Sequence, residues 1–194
     1  MKLGTTLLIL FLTIGFIQTT QAQSADEIRR MMDQRDRQIK DLVGPEGTNH
    51  TDAQREKLKD IINGIIDYGA MARIALQQTY ETITADQRKE FVELFGNIIR
   101  DQSLNKLDIY RAQVTYDKIE VQGNSAVVVT TATLDNVRTP VSYNMELRNG
   151  NWFITDMAID NVSTAESYRR SFQNVIRRRG FDALLDNLRN RANS

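Results

Sequence analysis

Residues 150–188, GNWFITDMAIDNVSTAESYRRSFQNVIRRRGFDALLDNL, decide the architecture. Trp152–Asp160 reads as a buried strand that passes through Asn161-Val162-Ser163 directly into an amphipathic helix, with a second short helix after Gly180. A strand whose end doubles as a helix N-cap fixes the angle at which that helix covers the sheet. Strict alternation puts Trp152, Ile154 and Ala158 on one side and Phe153, Met157 and Ile159 on the other. Two apolar faces mean either a central strand or a surface that carries a guest. In the following helix Tyr168, Phe172, Val175 and Ile176 form a stripe, with Arg169, Arg170 and Arg177-Arg178-Arg179 opposite it or at its end. Cations in a last helical turn complement the helix dipole. Gly180 is the expected C-terminal stop.

Working back from that corner, the residues from Val114 onward repeat with period 2. Val114–Val121, Ala126–Leu134 and Val141–Leu147 complete a set of four strands rich in Val, Thr, Tyr and Ile. Gly123-Asn124 and Asn149-Gly150 are hairpin turns, so consecutive strands are antiparallel neighbours. Before Val114 the period is 3.6. Ser24…Glu27, Thr51…Gln54, Thr84…Gln87 and Ser163…Glu166 each have the hydroxyl and the acid or amide, three residues apart, of a capping box.

The first helix, Ser24–Leu42, carries a thin stripe of Ile28, Met31, Met32, Ile39 and Leu42 among charges. The second places Leu58, Ile61, Ile62, Ile65 and Ile66 on one face and breaks around Asp67-Tyr68-Gly69, where Asp67 can cap a short helix holding Met71, Ile74, Ala75 and Leu76. The longest helix is expected over Thr84–Tyr110, roughly 40 Å at 1.5 Å per residue. Phe91, Leu94, Phe95, Ile98 and Ile99 begin its stripe, and Leu104, Leu107 and Tyr110 continue it. The pattern predicts an α+β domain: a four-stranded antiparallel sheet wrapped by about six helices.

Residues 1–22 have the form of a secretory signal peptide: Lys2, an apolar run from Leu7 to Ile17, and Thr20-Gln21-Ala22 as a small-x-small cleavage site. The apolar run is too short for the roughly 20 residues that span a bilayer. Cleavage after Ala22 leaves residues 23–194 as one exported domain, large enough to hold a core without disulfides. Lys+Arg and Asp+Glu both number 25, so net charge draws the chain neither to nucleic acid nor to an anionic membrane. The absence of cysteine removes thiol chemistry, Cys-based metal sites and lipid attachment at a cysteine. The single histidine, His50, lies in a Gly- and Asn-containing loop, where such a residue is ordinarily solvated, and one histidine cannot supply the convergent ligands of a metal site.

No phosphate-binding glycine loop, dinucleotide fingerprint, nucleophile elbow or zinc-protease motif is present. No Ser/His/Asp triad fits the single loop histidine, and no catalytic residue or cofactor is assigned. Asp156 shares parity with Trp152 and Ile154, so burial is expected to raise its pKa, as in acid/base enzymes built on curved sheets. The alternative is a structural carboxylate that pairs an arginine or caps backbone amides. Apolar stripes on at least four helices, six methionines and a two-faced strand fit either a filled core or a lipid-sized cavity.

Several stretches taken in order resemble the MlaC, or toluene-tolerance, family of periplasmic phospholipid carriers. They are residues 66–73 (IDYGAMAR), 84–91 (TADQRKEF) with Leu94-Phe95, and 104–107 (LNKL), followed by 151–157 (NWFITDM) with Val162-Ser163, Tyr168-Arg169, Phe172, and 180–184 (GFDAL). The chain departs from the family at Gln77, Gln78 and Tyr80, where Gly and Trp are frequent, and at Asp160-Asn161, where Glu-Gly is frequent. The resemblance implies a fold distantly NTF2-like, a single lipid-carrier domain over residues 23–194, and a monomeric, non-enzymatic periplasmic shuttle. Such a carrier moves phospholipid between the inner and outer membranes and maintains outer-membrane lipid asymmetry. The implied partners are an inner-membrane ABC lipid transporter complex and an outer-membrane lipoprotein–porin complex, with no nucleic acid. The candidate lipid-binding residues are Tyr68, Met71, Phe91, Phe95, Leu104, Tyr143, Met145, Trp152 and Ile154. On this reading Trp152 and Ile154 form a floor, the helix from Ser163 a wall, and Asp67-Tyr68-Gly69 and Asn161 are points of opening. A hopanoid-type lipid handler, an NTF2-like enzyme using Asp156, and an envelope adaptor without ligand are the alternatives.

Overall fold

The computed structural model describes residues 15–104 and 107–192. In chain order these form α1 (Gly15–Val43), α2 (Asp52–Asn63), α3 (Tyr68–Leu76), α4 (Thr79–Thr82), α5 (Ala85–Leu104) and a 3-10 turn (Leu107–Arg111). The sheet follows as β1 (Gln113–Gln122), β2 (Ser125–Leu134), β3 (Val137–Arg148), β4 (Asn151–Ile159) and β5 (Val162–Ser163), then α6 (Thr164–Arg179) and α7 (Phe181–Ala192). The class is α+β, as the periods require. The sheet has five strands rather than four, antiparallel throughout in the order β1-β2-β3-β4-β5.

The fifth strand exists because the chain reverses where a straight passage was expected. Asp160 and Asn161 both take positive φ, 50° and 61°, which is the backbone of a tight hairpin turn. Val162 and Ser163 then pair back onto Ile159 and Ala158 before α6 begins. The same dipeptide chemistry at Asp135-Asn136, φ 49° and 64°, joins β2 to β3 and starts β3 at Val137, earlier than alternation alone indicated.

The helical boundaries follow the caps, with two corrections. Thr51 and Gln54 form a complete capping box, as do Thr84 and Gln87, and Ser163 accepts the Glu166 N–H at 3.0 Å. Ser24 lies inside α1, which is described from Gly15 on, and not at a helix start; a side-chain cap serves the first turn, whose N–H groups lack intrahelical acceptors. Of the expected signal segment, residues 1–14 lie outside the described residues. The second correction concerns α2, which ends at Asn63 instead of continuing to Ile66. Ile65 and Ile66 turn aside and lie along β4: the Ile154 N–H donates to Ile65 O (2.7 Å) and the Asp67 N–H to Ile154 O (2.8 Å). Ile66 forms the bridge, and the Ile65 carbonyl and Asp67 N–H on either side of it complete hydrogen bonds that β4 lacks on that side.

Among the described residues α1 is the longest helix, with 29 residues that take in positions 15–22 of the expected signal segment, whereas α5 has 20 and a 3-10 turn stands at Leu107–Arg111. Apolar side chains collect in three clusters instead of one core. The first joins α3, α5, α6 and α7 around Phe91, Phe95 and Phe172. The second lies between α1 and the sheet, and the third holds Ile39, Val43 and Leu58 of α1 and α2 with Leu104, Leu107 and Tyr110 beside them. His50 is half-buried, its Nε2 donating to Val43 O at 3.0 Å. It therefore ties the loop to one of the last carbonyls of α1, where a solvated residue was expected.

Candidate functional site

A one-residue irregularity in β4 decides what the sheet presents to α1. Met145 pairs with Ile154, but Asn144 pairs with Asp156, so Thr155 is an extra residue. Directly paired residues share a face and successive residues on a regular strand alternate. The bulge therefore places Ile154 on the Met145 face and Asp156 on the opposite, Asn144 face. Past the bulge Met157 pairs with Tyr143 and returns to the first face. Strict alternation had grouped Asp156 with Trp152 and Ile154, and Met157 against them; both assignments reverse.

The resulting apolar face runs across the sheet through Val121, Ala126, Val128, Tyr143, Met145, Leu147, Trp152, Ile154 and Met157. Its cover is α1, which contributes Ile28, Met31 and Met32, with Ile65 and Ile66 closing the β4 side. Trp152 and Ile154 thus share a cluster with Ile28 of α1, which meets the sheet along β1. Helix α6 instead packs with α3, α5 and α7. The thin stripe on the first helix was legible as a weak apolar face, but nothing in its spacing tells which surface it meets.

Polar groups cluster toward the β1 side of this layer. The Arg29 guanidinium sits over the Tyr116 ring, 4.7 Å from its centre. Burial and the nearby Asp33 and Asp36 carboxylates push the Tyr116 phenol well above its ordinary range. Burial, followed by Tyr110 and Asp36, raises Tyr143 to about 12. Along the same α1–β1 seam a surface depression of about 240 Å³ is lined by Ala25, Asp26, Arg29, Tyr116, Asp117, Lys118 and Ile119. A second, of about 150 Å³, lies between α6 and α7 at Asn174, Val175, Arg178, Arg179 and Asn187. Both are below the roughly 300 Å³ at which pockets enclose a small molecule, so neither depression by itself holds a lipid.

Asp156 is 5% exposed. Its Oδ2 accepts the Ser163 hydroxyl at 2.5 Å and its Oδ1 accepts the Ala165 N–H at 3.2 Å, at the first turn of α6. Ser163 Oγ in turn accepts the Glu166 N–H, so carboxylate and hydroxyl together cap the helix. This is the structural carboxylate of the two readings offered by the sequence.

The nine candidate residues divide among the three clusters. Tyr143, Met145, Trp152 and Ile154 lie together beneath α1. Met71, Phe91 and Phe95 are fully buried in the helical cluster, with Tyr68 packed against it. Phe91 contacts the rings of Phe95, Phe172 and Phe181 at centroid distances of 5.5, 5.5 and 6.0 Å. The Tyr68 hydroxyl donates to Asn63 Oδ1 at 2.7 Å, and burial raises its phenol to about 12. Leu104 packs against the third cluster. The expected break at Asp67-Tyr68-Gly69 is a tied junction: Asp67 Oδ1 accepts the Ala70 N–H at 2.8 Å, and its Oδ2 pairs with Arg148 from the end of β3.

A five-stranded antiparallel sheet with one apolar face under a single long helix, and its buried carboxylate committed to a helix cap, defines an α+β protein organised around a shielded sheet face. The chain belongs to the MlaC family, whose profile, described as MlaC protein, matches residues 34–190. Its fold is similar to that of a phospholipid-binding protein from Ralstonia solanacearum, solved in complex with a phospholipid. The TM-score is 0.71 at 20% identity, over 89% of this chain and 97% of that chain. No curated protein matches the sequence.

Proposed function

We propose that this protein is a periplasmic phospholipid carrier, a binding protein and not an enzyme, that shuttles lipid between an inner-membrane ABC transporter complex and an outer-membrane lipoprotein–porin complex. The observation that carries the reading is membership of the MlaC family over residues 34–190. The phospholipid in the Ralstonia protein of the same fold supports it. In this reading residues 1–22 direct export and are removed, and outer-membrane lipid asymmetry is what the shuttle maintains.

The acyl chains lie between α1 and the sheet, on the floor made by Tyr143, Met145, Trp152 and Ile154. Phe91, Phe95, Met71, Tyr68 and Leu104 shape the helices beside that layer. Three features favour this position. The sheet face is apolar along its width. Its cover includes only the thin stripe Ile28, Met31 and Met32 of α1 beside Ile65 and Ile66. The α1–β1 seam has a depression of about 240 Å³, so the contact between helix and sheet is open to solvent along that edge. Burying acyl chains at about 0.8 kcal/mol per CH₂ keeps a lipid on the carrier across an aqueous gap. Release therefore requires a partner that parts the helices from the sheet, with the Asp67 junction before α3 and the Asp160-Asn161 turn before β5 and α6 as the points of opening.

Native mass spectrometry of the protein purified from its exported form, with extraction of the released lipid, tests the reading. One diacyl phospholipid per chain is the expected result. A polycyclic lipid in its place would transfer the protein to hopanoid handling, and a chain that neither retains nor takes up lipid would end the proposal.

A further inference from the structure

We infer that the indole N–H of Trp152 is a hydrogen-bond donor to an ester carbonyl of the bound glycerolipid, and so discriminates ester-linked from ether-linked chains; this rests on the carrier reading above. Trp152 is 4% exposed, and its Nε1 has no acceptor. Among the described residues it is the only buried side-chain nitrogen or oxygen left unpaired. A buried donor without a partner bears the full desolvation penalty of its N–H, and a Phe ring at the same place would avoid that cost while filling most of the same space. Such orphaned groups call for a specific explanation, and the surroundings indicate what the partner is.

Trp152 pairs with Leu147 at the hairpin end of the floor. From there the apolar row continues through Ile154 and Met145 to Met157 and Tyr143. The buried side chains of its cluster are Ile28, Ile65, Ala126, Val128, Met145 and Ile154. A phosphate placed among aliphatic groups would be a poorly compensated buried charge, which is prohibitive. An ester carbonyl is neutral, accepts without donating, and occurs where an acyl chain joins its glycerol. A chain lying along the row with its carbonyl at Trp152 satisfies the indole and leaves only methylenes over Ile154, Met145 and Met157. The polar end then leaves the layer beyond the hairpin end, and the phosphate stays in water.

The chain has one tryptophan, so a protein labelled with indole-¹⁵N gives a single indole resonance assigned without mutagenesis. The delipidated protein is titrated with diacyl phosphatidylethanolamine and, separately, with the dialkyl-ether lipid of the same head group and chain length. The diester should move the indole proton downfield and slow its exchange with solvent. The diether should bind, read by native mass spectrometry, without that shift. Trp152→Phe should lose about tenfold more affinity for the diester than for the diether, the equivalent of one net hydrogen bond. Equal shifts with both lipids, a bound diester that leaves the resonance in place, or equal losses in Trp152→Phe each overturn the inference while the carrier reading stands. Binding of neither lipid overturns both.

Discussion

Replacing Asp156 by alanine removes two interactions at once, and the structure gives the size of the effect. The carboxylate is 5% exposed and accepts from both the Ser163 hydroxyl and the Ala165 N–H at the start of the 16-residue α6. Loss of the hydrogen bond from the Ser163 hydroxyl costs about 1 kcal/mol. Stranding the buried Ala165 N–H adds about 1–3 kcal/mol. The sum is about 3 kcal/mol, a large part of the roughly 5–15 kcal/mol that holds a domain folded. For a chain of this size that lowers Tm by about 6–12 °C. Asp156→Asn keeps an acceptor for Ala165 and loses the charge at the dipole, so its cost is about 1 kcal/mol. Thermal and urea unfolding of Asp156→Ala, Ser163→Ala and the double variant check the argument, because residues sharing a hydrogen bond couple by roughly 0.5–3 kcal/mol. A loss below 1 kcal/mol in Asp156→Ala, or strictly additive single effects, would refute the cap. The same variants address function: Asp156→Asn, folded, should load and transfer phospholipid at the normal rate, as a carboxylate used in a cap and not in acid/base chemistry requires.

Phe91→Ala opens a hole among three rings at a site with no exposure and should cost about 3–5 kcal/mol in urea unfolding; a loss under 1 kcal/mol would mean that Phe91 lines a space rather than filling one. A β-carbon at Gly96 would stand 3.2 Å from the Tyr68 ring and 3.3 Å from Arg100 Nη1, so Gly96→Ala should destabilise by about 1–3 kcal/mol through overpacking, despite the better helix propensity of alanine. The buried phenols predict an alkaline limit. Tyr68 and Tyr143 are raised from an ordinary 10.0 to about 12. A group with a raised folded pKa adds stability that is intact below the unfolded value and lost as pH rises through the folded one. Chemical stability should therefore hold to about pH 10 and fall between about pH 10 and 12, with tyrosinate absorbance lagging behind that of free tyrosine. A full six-tyrosine titration near pH 10 in the folded protein would contradict the burial. Gly69→Ala places a β-carbon 3.2 Å from Asp67 Oδ1 and stiffens the start of α3, so lipid transfer between vesicles should slow; an unchanged rate removes this junction from the release step.

The local chemistry of the sequence determined most elements of this protein. The capping pairs at Thr51, Thr84 and Ser163 start helices because a hydroxyl and an amide or acid three residues apart satisfy amides that need nothing distant. The change from period 3.6 to period 2 at Val114 marked the α+β division, and Gly180 ended α6. The Asp-Asn turns that give β5 and the early start of β3 were also written locally, in the same left-handed preference that identifies Asn149-Gly150. What the tertiary structure alone decided is which surfaces meet. One extra residue at Thr155 reversed the faces of Asp156 and Met157, and strict alternation carries no mark of where a strand takes a bulge. Periodicity showed that α1 and α6 each have an apolar stripe, but a stripe carries no address. Packing joined α1 to the apolar sheet face and α6 to the aromatic cluster, and left Trp152 buried in the sheet-face cluster with its N–H unpaired.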